Sequence, residues 1–259
     1  MRILITTIAV LFVAFISFWI IKFWGRSQVY IEYKHPLFEK VQASIEFIEP
    51  RLEQIKETIE KSSANGENSV QGLYLNVTIT ADQKLVIPTQ VWSAQDKAIR
   101  YSPYEEIKSK VLLVSDYKEI LKTKKIIFNL IDNAQAVHEI FLFNMKEIGF
   151  EQGDNYIVIS QYEAPIKSLK DIAPALIFGS TQPEILKIVA MDSMYLIEAA
   201  TIRADVIIHP MFIKNQLFFT PELISEFQRR HKKIVVGPLE ENQKAQVLAL
   251  SPYGIILKK

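Results

Sequence analysis

The chain is predicted to be an α/β protein, a (β/α)8 TIM barrel preceded by one N-terminal transmembrane helix. Three observations predict it: eight short β-rich apolar runs, helix signals in the segments between them, and a stretch of nineteen uncharged residues at positions 3–21. The candidate strands are residues 41–47, 73–79, 125–131, 156–160, 175–178, 206–209, 233–237 and 254–257. Several are apolar at nearly every position, as in Ile126, Ile127 and Phe128 or Val206, Ile207 and Ile208. Strands covered by helices on both faces have this composition, and their alternation with helices points to a parallel sheet. A doubly wound open sheet is the alternative, and the count of eight favours the closed barrel.

The intervening segments carry helix signals. Thr220-Pro221-Glu222 sets a capping hydroxyl before a proline at the first helical position, and Arg229, Arg230, Lys232 and Lys233 gather at the other end. Ser102-Pro103-Tyr104-Glu105 has the spacing of a capping box. Residues 182–200 open on Pro183-Glu184 and are rich in Ile, Leu, Met and Ala; Val137, Ile140, Phe141 and Ile148 form a helical stripe ending at Gly149. Residues 63–69 read as a loop insertion.

As a helix, residues 3–21 would span about 28 Å, close to the roughly 30 Å hydrocarbon core of a bilayer. Trp19, Phe23 and Trp24 stand beside Lys22 and Arg26, where rings and cations favour the headgroup level. A cleaved signal peptide is the rival reading, but its apolar region is usually about 7–15 residues and ends at small side chains. Residues 1–26 are therefore expected to form a retained single-pass anchor, 27–40 a polar and aromatic linker, and 41–259 the barrel. Arg2 against Lys22 and Arg26 leaves membrane orientation nearly undecided, and a short tail before a large domain places the barrel outside the cytoplasm.

Thirty Lys and Arg against twenty-nine Asp and Glu argue against nucleic acid as partner, because phosphate binding draws on a surplus of cations. The absence of cysteine excludes disulfides, thiolate metal sites and a Cys nucleophile.

Residues 73–86, Leu-Tyr-Leu-Asn-Val-Thr-Ile-Thr-Ala-Asp-Gln-Lys-Leu-Val, resemble the second-strand signature of the glycerophosphodiester phosphodiesterases. That family typically reads Glu-Leu-Asp-Val-x-Leu-Thr-x-Asp-Gly, a hydrophobic pair, then His-Asp. Leu75, Val77, Thr80, Asp82 and Val86 fit the scaffold positions. Residues 125–131 are similar to the strand bearing Glu-x-Lys, 157–162 to the Val-x-x-Ser-Phe strand, and Gly254-Ile255-Ile256 to the closing Asp-Gly-Ile-Ile-Thr-Asp strand. The resemblance covers residues 41–259 and implies a barrel binding calcium or magnesium and hydrolysing phosphodiesters.

The residues that carry the family's chemistry differ. Tyr74, Asn76 and Asn129 stand where the resemblance places three acidic metal ligands. A hard dication needs anionic oxygens to offset its dehydration, so the family's metal is expected to be lost and no other cofactor is implied. No His-Arg-Gly follows the first strand, and Thr89-Gln90 replaces the His-Asp that would supply acid–base catalysis, worth roughly 10²–10⁴-fold. The family's lysine corresponds to Ile131, its seventh-strand Trp to a position near Gly237, and its final Thr-Asp to Leu257-Lys258. No catalytic residue is assigned. The expectation is a phosphodiesterase-like pseudoenzyme, a binding or scaffolding module at the membrane for a lipid headgroup, a glycerol phosphate or a protein partner. The alternative is an active phosphodiesterase of lipid metabolism with a rearranged site drawn from Glu46, Asp132 and Glu163.

His209, before Pro210 at the end of the sixth candidate strand, is the one histidine placed where it could line the pocket, but a helix-facing or hydrogen-bonded structural role is the leading reading. The run from Arg229 to Lys233 reads as a solvated helix end, with an anionic-lipid patch as the sharper alternative. Gly179-Ser180-Thr181-Gln182 could cradle an anion but is ordinary for a strand–helix loop. Asp192, Glu198, Arg203 and Asp205 read as surface or loop salt-bridge formers.

Overall fold

A computed structural model describes residues 2–39, 44–64, 71–90, 98–134, 136–150, 153, 155–214 and 216–258. The expected strand start at 41–43, the end of the linker at Lys40 and most of the loop at 63–69 fall outside them. Eight parallel strands form the body: β1 (Ile45–Glu49), β2 (Gln71–Ile79), β3 (Ile126–Leu130), β4 (Tyr156–Ile159), β5 (Ile177–Phe178), β6 (Val206–His209), β7 (Lys233–Leu239) and β8 (Gly254–Lys258). Their spatial order is β5-β4-β3-β2-β1-β8-β7-β6, and a parallel bridge between Gly179 and Val206 brings the two ends together. Sequential neighbours closing on themselves make a barrel, which excludes the open doubly wound sheet.

Period-two alternation sorts the side chains. Ile45, Phe47, Ile127, Ile157, Ile177, Val206, Val235 and Ile256 fill the interior. Their neighbours in sequence face outward, where Phe128, Tyr156 and Phe178 pack against Phe141 and Leu169, and Ile207 and Val236 against Leu223 and Phe227. The covering helices include α2 (Ile55–Ala64), α3 (Lys118–Lys122), α4 (Val137–Glu147), α5 (Glu163–Ile172), α6 (Gln182–Ser193) and α7 (Pro221–Arg229). These helices return from the mouth, at the strand C-termini, to the base. Thr220 caps α7 as expected, its Oγ1 accepting from the Leu223 amide at 3.3 Å. The expected capping box at Ser102 is not formed: Asp82 Oδ1 from a neighbouring loop takes the Tyr104 amide at 2.9 Å. Between β2 and β3 the chain adds a small antiparallel sheet, Leu85–Pro88 against Val111–Leu113.

The apolar helix α1 (Arg2–Ser27) extends from the barrel, and its segment Ile5–Ser27 is long and apolar enough to cross a membrane. Its C-terminal turns meet the barrel base at Ile197–Ala199 through a joint of close contacts. Gly25 lies so near that a Cβ there would overlap the Glu198 carbonyl. Glu198, 8% exposed, takes Arg26 Nε at 2.9 Å, with Lys22 Nζ 3.9 Å away. The Arg229 guanidinium donates to the carbonyls of Gly25, Arg26 and Gln28 at 3.2, 3.3 and 3.1 Å, satisfying backbone acceptors that a helix end leaves open. Arg230, 3% exposed, donates to the carbonyls of Ile197, Glu198 and Ala200 and so fixes the segment that α1 touches. Glu226 joins the two arginines. The expected solvated helix end at Arg229–Lys233 and surface role for Glu198 are thus corrected: tertiary contacts bury Arg230 and Glu198 in the joint.

Residues 28–39, read as linker, run across the base. Tyr30 lies under both arginines, Glu32 pairs with Lys233 at 3.7 Å, and the Tyr33 hydroxyl donates to Ala175 O at 3.1 Å. Leu37, 1% exposed, enters the barrel interior from below. Lys125 Nζ and the Tyr253 hydroxyl both donate to its carbonyl, at 2.6 and 2.7 Å.

Candidate functional site

The mouth of such a barrel is where its strands deliver chemistry, so the inward residues nearest the strand C-termini define the candidate site. On β2, Tyr74 packs on the interior cluster, and alternation sets Asn76 and Thr78 above it. On β3, Asn129 follows Ile127 on the same face and stands in register with Asn76. The two amides are joined directly, Asn129 Nδ2 donating to Asn76 Oδ1 at 2.7 Å. Three of the positions expected from the sequence, Tyr74, Asn76 and Asn129, are therefore brought together.

Two further groups meet them there. Glu49 ends β1 on the inward side, after Ile45 and Phe47, and its register partner is Lys258 at the end of β8. Its Oε2 is sealed from solvent without a hydrogen-bond partner. Burial pushes the Glu49 carboxyl above its ordinary range, against the pull of the Lys258 ammonium. Burial, and then the charge of Glu49, raises the Tyr74 hydroxyl far above its usual value, so it stays protonated. The apolar run that predicts β1 ends at Phe47, two residues short of Glu49. Carrying the alternation of Ile45 and Phe47 two residues further would have found it.

The other expected residues lie elsewhere. Thr89 sits past the end of Leu85–Pro88, where its amide and Oγ1 both donate to Lys110 O at 3.0 and 2.8 Å; half-buried Gln90 follows it. His209 falls on the outward register with Ile207; its ring centroid is 4.7 Å from that of Phe218 and its Nδ1 lies 2.8 Å from Pro210 O. Burial holds its pKa below the ordinary value, against the Pro210 carbonyl. Of the carboxylates considered for a rearranged site, Glu46 faces outward and pairs with Lys244 at 2.7 Å. Exposed Glu163 starts α5, 4.0 Å from Arg203. Asp132 alone stands at the rim, engaged by the Ala134 amide at 2.9 Å and by Arg100 at 3.3 Å. The loop after β5 is committed to closing the barrel: Ser180 Oγ donates to Ile208 O and accepts from the Ile208 amide.

This donor set does not fit a calcium or magnesium ion. Asn76 Oδ1 already accepts from Asn129, Tyr74 is a protonated phenol, and of the two carboxylates Asp132 is engaged by Arg100 and the Ala134 amide, which leaves Glu49. Among the described residues no three His, Asp or Glu side chains converge. A hard dication stripped of water needs several anionic oxygens at once.

No family model matches the chain, and no curated protein matches it in sequence. Solved structures do. A protein of Silicibacter pomeroyi assigned as a glycerophosphoryl diester phosphodiesterase has a TM-score of 0.63 at 12% identity, covering 85% of this chain and 92% of that one. A phosphodiesterase of Oleispira antarctica, solved with the product sn-glycerol-3-phosphate, has a TM-score of 0.59 at 13% identity, covering 82% and 92%. The glycerophosphodiester phosphodiesterase of Thermotoga maritima gives 0.57 at 16%, covering 84% and 96%. Likeness at this identity establishes the fold: the chain is a glycerophosphodiester phosphodiesterase-like barrel with an added apolar helix.

Proposed function

We propose that this protein is a single-pass membrane protein whose phosphodiesterase-like barrel has lost metal-dependent hydrolysis and serves as a binding or scaffolding module. The observation that carries the reading is the joined pair of neutral amides, Asn76 and Asn129, beside a protonated Tyr74 at the mouth. The ligand would be a glycerol phosphate, a lipid headgroup or a protein partner, and the barrel would stand outside the cytoplasm. The joint supports a retained α1. Cutting the chain after residue 28 would strip the buried Glu198 of Arg26 and Lys22 and leave Arg229 without three carbonyl acceptors.

The test uses the full chain in detergent with glycerophosphodiesters and added calcium or magnesium, and follows metal binding by calorimetry. The expected result is neither turnover nor metal binding. Turnover above a denatured control, abolished by a chelator, would reject the reading. The variant carrying Tyr74→Glu, Asn76→Asp and Asn129→Glu serves as the positive arm and is expected to gain divalent-cation binding. Protease access to the barrel in intact cells reports its side of the membrane.

A further inference from the structure

In a parallel barrel the covering helices run from mouth to base, so the C-terminal ends of α6 and α7 both lie at the base. Those two ends frame the joint. Arg229 closes α7, and Ile197–Ala199 follows α6 by a short turn. The residues of that turn, Met194 and Tyr195, are 51% and 74% exposed. Lys22 and Arg26, the two cations that reach Glu198, mark the end of the apolar helix. Four residues of helix cover about 6 Å, so Glu198 sits within one helical turn of the level where the apolar stretch ends. Residues 28–39 then run beneath the strands, which places the whole anchor connection on one end of the barrel.

We propose that the joint holds the barrel base-down on the phospholipid bilayer, with Met194 and Tyr195 in the headgroup layer and the mouth opening away from the lipid. This rests on the reading of α1 as a retained span. It sharpens the ligand choice, because a mouth turned from its own membrane receives a soluble phosphorylated molecule or a protein in preference to a headgroup of that bilayer. The occupant of the Met194–Tyr195 edge is the bilayer itself. The edge is continuous with the end of the helix that the bilayer takes up, and a tyrosine beside an aliphatic thioether suits the headgroup boundary.

The chain has no cysteine, so a single introduced cysteine is a unique label site. Full-length Tyr195→Cys (base) and Asn133→Cys (rim of the mouth, exposed) are labelled with an environment-sensitive fluorophore. Each is reconstituted in phosphatidylcholine–phosphatidylglycerol vesicles carrying a headgroup-level nitroxide lipid. The expected result is several-fold stronger quenching at position 195 than at 133. Adding Gly25→Leu, which cannot approach Glu198, is expected to bring the two signals together while the protein still resists alkaline extraction. Equal quenching with the joint intact, or stronger quenching at 133, overturns the proposal. An unchanged difference after Gly25→Leu overturns the role of the joint. Release by alkali is a different failure: it overturns the retained span, and the orientation with it.

Discussion

The two ends of this barrel are built by opposite rules. The base is crowded with bonded polar groups, Glu198 Oε2 being the buried exception: two arginines bridged by Glu226 hold the carbonyls of α1 and of Ile197–Ala200, and Leu37 fills the interior floor. The mouth carries a neutral amide pair, a phenol, Glu49 with one buried oxygen unpartnered, and Asp132 at the rim. In a catalytic barrel the demanding electrostatics sit at the mouth and the base merely stabilises. Here a buried network of two arginines and a glutamate lies at the base, where the apolar helix arrives. The difference teaches that the attachment of this domain is more constrained than its chemistry.

The largest effect is expected from breaking the base. Arg230→Ala leaves Glu226 with one partner fewer and three carbonyls open, and should cost about 3–5 kcal/mol, the scale for removing one member of a buried pair. Urea denaturation of the full chain in detergent measures it; a loss below 1 kcal/mol would show that the joint does not stabilise the fold. Acid provides a second handle. Burial alone would raise the Glu226 carboxyl, but hydrogen bonds from Arg229 and Arg230 outweigh it and hold the group below its ordinary value. Its contribution is therefore full above the ordinary glutamate range and is lost as pH falls through the lowered value.

Removing the floor comes next. Leu37→Ala empties a fully enclosed position and should cost about 3 kcal/mol, within the range for large-to-small core changes. If the thermal midpoint does not move, residues 28–39 are a tether and not part of the barrel. Substitutions at the mouth should be milder. Asn129→Ala removes one amide–amide bond and should cost about 1 kcal/mol.

The smallest effect has the opposite sign. Glu49→Gln removes a carboxyl that burial disfavours and should stabilise the chain by about 1 kcal/mol at neutral pH. Because the folded pKa is raised, the favourable contribution of Glu49 is full below the ordinary glutamate range and disappears as pH rises through the raised value. The advantage of the variant should thus vanish on acidification. Denaturation midpoints across a pH series check this, and a variant less stable than the parent at pH 7 would mean that Glu49 has a partner that matters.

Much of the fold was legible because it repeats. All eight strands lie where short β-rich runs were read, and Tyr74, Asn76 and Asn129 meet because register and alternation leave them no other place. Where one residue of phase mattered, the sequence was less legible. His209 takes the structural role weighed for it, its strand register turning it outward onto Phe218 and away from the mouth. Glu49 was missed because β1 runs two residues past Phe47. The Asp82 cap on Tyr104 comes from another loop, which no local spacing encodes.

By itself the sequence determined the runs that become the parallel strands, the apolar helix and the neutral amides Asn76 and Asn129, since periodicity and residue type are local properties of the chain. Only the tertiary structure decided that Arg229, Arg230 and Glu198 build a joint. Those side chains are far apart in sequence from Gly25 and Arg26, and whether a charge is solvated or buried depends on what the fold brings against it.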